Sequence, residues 1–256
     1  MKKPQLAKDL LTKALAAVGL RVLRSRGRYA EDGLFTVHND HFRFNPSFRA
    51  AYARGLKAAN GVDPRFEWRV HVALWAAKSS LRVAGDFVEC GVNAGFISSA
   101  IMQRLGWNSV NRNYYLVDTF RGPPLSQYSD IEVQQGRRQL AENALSAGAY
   151  VVDLERVRNN FAEWRNVTIV QGAIPDILTT ISTPQVAFLH IDLNSAYPEK
   201  AALRFFWDKL APGSIVLLDD YAYHGYGEQA AAISQLGEEE GFEVLSIPTG
   251  QGLIVR

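Results

Sequence analysis

The stretch SIVLLDDYAYHGYG (214–227) carries an apolar run straight into two adjacent carboxylates, Asp219 and Asp220. Neighbouring aspartates repel, and burial penalises their charged forms, so the end of a buried strand suits such a pair only where positive charge meets it. A solvated pair that caps the next helix is the plainer alternative. A third acid, Asp192, ends another apolar run in VAFLHIDLNSAYPEK, with His190 two residues earlier on the same strand face. If the two strands are parallel neighbours, the three carboxylates converge. A hard divalent cation with oxygen ligands, Mg2+ above all, then relieves their repulsion, which makes Asp192, Asp219 and Asp220 candidate metal ligands. His224, four residues past Asp220, is a candidate general base because imidazole titrates near neutrality; a surface-loop histidine is the alternative. Tyr221, Tyr223 and Tyr226 either line a pocket or pack their loop.

A second group of residues suits a nucleoside-bearing ligand. In GDFVECGVNAGFISSA, Glu89 stands near the tip of an apolar run, and Gly91, Asn93 and Gly95 follow in the turn before a helix. Glycines let a backbone approach a ligand, and the helix start offers free N–H groups. The G-x-x-x-G spacing after an acid is not the G-x-G-x-x-G of a dinucleotide clamp, which disfavours a nucleotide-dependent oxidoreductase. An acid there suits an ammonium or sulfonium better than a diphosphate. In YYLVDTFRGPP, Asp118 ends a run and Thr119 follows; a carboxylate at such a tip accepts both hydroxyl hydrogens of a ribose. Gln171-Gly172, after a third run, is placed to meet an adenine edge. His190 reads as a packed strand residue beneath the site, and Cys90 as a small core residue.

Apolar runs at Asp86–Cys90, Tyr114–Asp118, Val167–Gln171, Val186–Ile191, Ser214–Leu218, Glu243–Ile247 and Gly252–Val255 read as strands. Helical patterns lie between them at 94–106, 131–161, 174–181, 198–210 and 227–240. Alternation of strand and helix predicts a doubly wound, Rossmann-like α/β fold with a mainly parallel sheet. Only PTGQ separates the last two runs, so they must pair antiparallel in a seven-stranded sheet. A helix from Pro64 with Phe66, Val70, Leu74 and Ala77 on one stripe precedes the first strand. Residues 28–63 show turn formers and aromatics without period, as in a connecting or lid segment. The division expected is an N-terminal helical lid or oligomerisation segment, 1–63, and a catalytic domain, 64–256.

The chain has 256 residues, 47% hydrophobic and 21% charged, with formal net charge +2, which argues against an obligate nucleic-acid binder. One cysteine excludes an internal disulfide framework and fits a reducing, cytoplasmic setting. No apolar run reaches the roughly 18 residues of a membrane span, so stable membrane insertion is not expected. Residues 4–24 pattern as a basic amphipathic helix, which suits packing on its own domain, service as a lid or joining a homodimer.

Taken together, GDFVECGVNAG, LVDTFRG, QGAIPDIL, FLHIDL and PGSIVLLDDY resemble the macrocin O-methyltransferase family over roughly residues 64–256. The resemblance implies a class I methyltransferase fold and metal-dependent transfer of a methyl group from S-adenosylmethionine to hydroxyls on sugars of antibiotics and related glycosides. By position it implies that Glu89, Gly91 and Asp118 hold the cofactor, and that Asp192, Asp219 and Asp220 bind the metal, with Asp192 also the base. Asn93, Gly95, Thr119, Gln171, Gly172 and Asp192 complete the expected cofactor wall. The expected acceptor is a small-molecule or glycan hydroxyl. Where relatives carry a second acid, this chain has Asn194, and DDYAYHGYG is unusually rich in tyrosine; both departures lie on the acceptor side. A catechol-type O-methyltransferase and a non-catalytic methyltransferase-like binding domain are the rival expectations.

Overall fold

The computed structural model describes residues 12–15, 17 and 29–256, so most of the basic helix expected over 4–24 lies outside the described residues. The chain divides into two compact units, residues 1–40 and 41–256. In the first, β1 (Ala30–Glu31) and β2 (Leu34–Phe35) form an antiparallel hairpin with Ala30 opposite Phe35. Its Asp32-Gly33 turn holds both residues at positive φ, 52° and 71°, the conformation that joins two tightly paired strands.

The second unit opens with α1 (Pro46–Ala58), in the stretch whose sequence suggested no helix. Asn45 caps it by accepting from the Ser47 amide, and Pro46 takes the first turn, where a missing N–H costs nothing. Gly55 weakens the helical signal, yet packing requires it: a Cβ there would lie 2.4 Å from the Phe96 ring. After α2 (Glu67–Ser80) come β3 (Asp86–Cys90), α3 (Phe96–Leu105) and β4 (Tyr114–Asp118). The expected helix over 131–161 is three: α4 (Asp130–Gln134), α5 (Arg137–Ser146) and α6 (Leu154–Phe161). Gly136 and Gly148 break it, each at positive φ. β5 (Val167–Gln171) and β6 (Val186–Ile191) are joined without an α-helix; residues 174–181 hold only a single 3-10 turn at Leu178–Thr180. α7 (Ala196–Trp207), β7 (Leu210–Leu218), α8 (Gly227–Glu240), β8 (Leu245–Ser246) and β9 (Gly252–Val255) complete the chain.

The seven strands run in the order β5-β4-β3-β6-β7-β9-β8. β3 to β7 are parallel, and β9 is antiparallel to both β7 and β8, as the short PTGQ link demanded. Alternate side chains feed two cores. Phe87, Tyr114, Leu116, Phe188, Ile215 and Leu217 face α1, α2 and α3, whereas Val88, Val117, Leu189, Ile191, Val216 and Leu218 face α7 and α8. The same alternation puts Glu89 and His190 on the α2 face at the strand ends, where they are 2% and 0% exposed. β3 and β6 mark the point at which the strand order reverses, and in open sheets that is where ligands bind.

Placing a larger side chain at Gly55 should separate α1 from α3. Gly55→Val is expected to cost about 1–3 kcal/mol by overpacking, measured as a lower urea midpoint at unchanged slope.

Candidate active site

Beyond the last paired residues the sheet ladder continues and sets the strand tips side by side. The Gly91 amide donates to the Val117 carbonyl, Asp192 to Cys90, and Asp219 to Ile191, at 2.8, 2.8 and 2.9 Å. Gly91 sits at φ 92°, and a Cβ on it would fall 1.7 Å from the Asp192 carbonyl oxygen, so this crossing tolerates glycine alone. Gly95 likewise accommodates the Phe161 ring, 2.4 Å from where a Cβ would stand.

Asp118 does something other than wait for a ribose. Its Oδ2 accepts from the amides of Val92 and Asn93 at 2.7 and 2.8 Å, and its Oδ1 from Phe120 at 2.7 Å. A carboxylate has about four acceptor sites, and three of them serve these amides, with the Thr119 hydroxyl also 3.3 Å from Oδ1. Asp118 is first of all the latch that fixes the Gly91 turn. Asn93 ties the same turn to residues 149–151, accepting from the Val151 amide at 2.8 Å and donating to the Ala149 carbonyl at 3.1 Å. Thr119 donates to the Gly122 carbonyl, Gln171 to the Thr119 carbonyl, and the Gly172 amide to the Asp118 carbonyl.

Two adjoining cavities lie over these tips. A narrow cleft of about 90 Å³ runs along Asp118, Thr119, Tyr150, Gly172 and Ile174, while Gln171 stays outside it and exposed. A larger cavity of about 420 Å³ is bounded by Asn60, Phe66, Arg69, Glu89, Ile97 and Arg156. Gly91, Asn93, Val151 and Asp192 border both, so the two meet at the Gly91–Asp192 crossing. Glu89 Oε2 is buried there without a hydrogen-bond partner, and Oε1 lies 3.1 Å from His190 Nδ1.

The charge that meets Asp219 and Asp220 belongs to α2. Arg69 Nη1 donates to Asp219 Oδ2 at 2.5 Å and to Asp220 Oδ1 at 3.2 Å, and its guanidinium lies 4.3 Å from the centre of the Tyr223 ring. Gln251 Nε2 donates to Asp219 Oδ1 at 2.8 Å, and His190 Nε2 faces that oxygen at 3.6 Å. Burial alone would push Asp219 up, but Arg69, His190 and Gln251 hold it below the usual carboxylate range. Burial also works against a charged His190, yet its contacts with Asp219 and Glu89 raise it to about 10. Negative charge nevertheless remains in surplus. Burial, then Asp219 and Asp220, push Asp192 well above its ordinary value, and burial with the Asp219 charge brings Asp220 to about 6.

The expected metal ligands Asp192, Asp219 and Asp220 do come together at the tips of β6 and β7, and Arg69 shares that place with them. Asp219 has both oxygens engaged, and among the described residues no group of three or more His, Cys, Asp or Glu side chains is disposed to hold an ion. His224, the alternative base, is exposed and lines neither cavity.

Residues 73–241 match the family described as Macrocin-O-methyltransferase (TylF). The chain belongs to this family. It is also 30% identical over 147 residues to the 8-demethyl-8-(2,3-dimethoxy-alpha-L-rhamnosyl)-tetracenomycin-C 4'-O-methyltransferase of Streptomyces olivaceus, covering 55% of this chain and 54% of that one. The chain thus spans about half the length of that curated relative. Among solved structures, the O-methyltransferase NovP superposes with TM-score 0.61 at 21% identity, over 73% of this chain and 79% of NovP. CalS11, a calicheamicin methyltransferase, gives 0.55 at 18% over 90% and 99%. These two likenesses establish the fold, the class I methyltransferase sheet.

Within this macrocin-O-methyltransferase chain, sequence reasoning missed Arg69, Tyr150 and Arg137. Arg69 could have been flagged as a cation beside the apolar stripe of α2. Tyr150 and Arg137 left no local signal. Of the three loop tyrosines, Tyr221 turns to Ser234, Tyr223 lies against Arg69, and Tyr226 bonds to Asn194. Removing the guanidinium would strand a buried carboxylate. Arg69→Met is therefore expected to destabilise the fold by about 3–5 kcal/mol in equilibrium denaturation.

Proposed function

We propose that this protein moves a methyl group from S-adenosylmethionine to a hydroxyl of a sugar or glycosylated natural product. The observation that carries the proposal is the junction of two cavities at Gly91 and Asp192, with a buried, unpartnered Glu89 oxygen on one side and the Asp118–Gly172 wall on the other. Glu89 Oε2 matches the ammonium of the cofactor's amino-acid end, and Asp118 with Gly172 suits its nucleoside. Gly91 keeps the crossing open. The wording of the curated relative, a rhamnosyl 4'-O-methyltransferase, supports a sugar acceptor.

S-adenosylmethionine supplies an electrophilic methyl group. The chain supplies placement and proton removal: Asp192 borders both cavities, and burial beside two other acids gives its carboxylate a raised affinity for a proton. Metal dependence forms part of the proposal, with Asp192 and Asp220 as the residues that would hold Mg2+. An ion there would lower the pKa of the acceptor hydroxyl. Arg69 keeps Asp219 out of that role.

Calorimetry should show binding of the demethylated cofactor, weakened in Asp118→Ala by about 1.5–3 kcal/mol because charge-assisted hydrogen bonds in the turn are lost. Methyl transfer to rhamnosylated acceptors, compared with catechols, tests the acceptor class; transfer to catechols alone would sink the sugar assignment. Turnover is expected to fall after chelation and to return with Mg2+, with Asp220→Asn raising the Mg2+ requirement. Unchanged turnover in metal-free protein would remove the ion.

A further inference from the structure

We propose that Tyr226 and Asn194 are positioning residues: together they hold the Asp192 carboxylate in one orientation where the two cavities meet. The inference rests on the methyl-transfer proposal and adds residues that act through Asp192.

Tyr226 Oη donates to Asn194 Oδ1 at 2.9 Å, and Asn194 Nδ2 donates to Asp192 Oδ1 at 3.1 Å. An amide has one accepting end and one donating end. The donating end must face the carboxylate, because the reverse would set oxygen against oxygen, so the phenol is the donor to the remaining carbonyl. Asn194 occupies a left-handed conformation, φ 60°, which asparagine tolerates better than most residues. The phenol is itself held. The Arg137 guanidinium lies 3.4 Å from the centre of its ring, the Tyr223 ring packs edge-on at 5.9 Å, and the Tyr226 amide donates to the Tyr223 carbonyl. The loops after β6 and β7 and the start of α5 thereby converge on one carboxylate. An acid at position 194 would put a further negative charge against Asp192, and the neutral amide avoids it.

Steady-state kinetics and NMR test this together. Tyr226→Phe and Asn194→Ala should each lower kcat by roughly 10–100-fold, the scale of misplaced catalytic groups, with acceptor KM and cofactor Kd nearly unchanged. The double variant should be no worse than the more damaging single one, because the two residues act in series. Multiplying losses, or a rise in KM at constant kcat, would overturn the proposal. The Asn194 side-chain amide resonances, assigned by their absence in Asn194→Ala, should shift in Tyr226→Phe and in Asp192→Asn. Resonances that stay in place would overturn it whatever the activity. A protein inactive with every acceptor yet showing those shifts would overturn methyl transfer while leaving the orientation of Asp192 established.

Discussion

Everything at this site depends on how the protein tolerates acids buried at the ends of its central strands. Glu89, Asp219 and Asp220 are buried and Asp192 is half-buried beside them, and an isolated ionised carboxylate in the buried positions would cost many kcal/mol. Arg69 answers for Asp219 and part of Asp220, and His190 for Glu89 and the other side of Asp219. The position of α2 follows from this. Its apolar stripe, Val70, Ala73, Leu74 and Ala77, buries against the sheet, and the same face must deliver one guanidinium to the tips of β7. A helix rotated by one residue would bury its apolar stripe poorly and leave Asp219 without its cation.

The parallel register does the rest of the positioning. Because Glu89 pairs with His190, and His190 with Leu217, the residues one step past each strand end are brought into line without any contribution from loops. Gly91 and Asp192 then touch, and the Asp118 carboxylate pulls two amides of the Gly91 turn toward β4. These hydrogen bonds are made within the chain, so the wall's shape is fixed by its own backbone.

Strands were legible, since a short apolar run between turn residues has few other solutions; the buried β3, β4 and β6, and also the edge strand β5 and the half-buried β9, begin and end where the runs do. Helices were less so where packing overrode propensity. Gly55 exists for Phe96 and disguises α1, and Gly136 and Gly148 cut one apparent helix into three. That Asp219-Asp220 needs a cation was legible; which cation was not. Arg69 stands 150 residues away, and nothing local couples it to the pair. Asp118 illustrates a subtler limit: an acid at a strand tip can serve ligand or backbone, and only the directions of the Val92, Asn93 and Phe120 amides reveal that the backbone has first claim.

The two halves of the site are built from different materials. On the cofactor side the wall is strand tips, fixed by a ladder that the cores on both faces enforce. The residues proposed to orient Asp192 lie instead in loops, after β6 and β7 and at the start of α5, held by Tyr226, Asn194 and Arg137. Loops change without disturbing the sheet, so acceptor choice can vary within one family while the cofactor wall stays the same. Asp192 belongs to both, tied by its amide to Cys90 of the sheet and by its carboxylate to Asn194 of the loop. If Asp192 acts as proposed, a change in these loops that keeps turnover has to preserve a donor to that carboxylate, a constraint set by one hydrogen bond and not by the shape of the pocket.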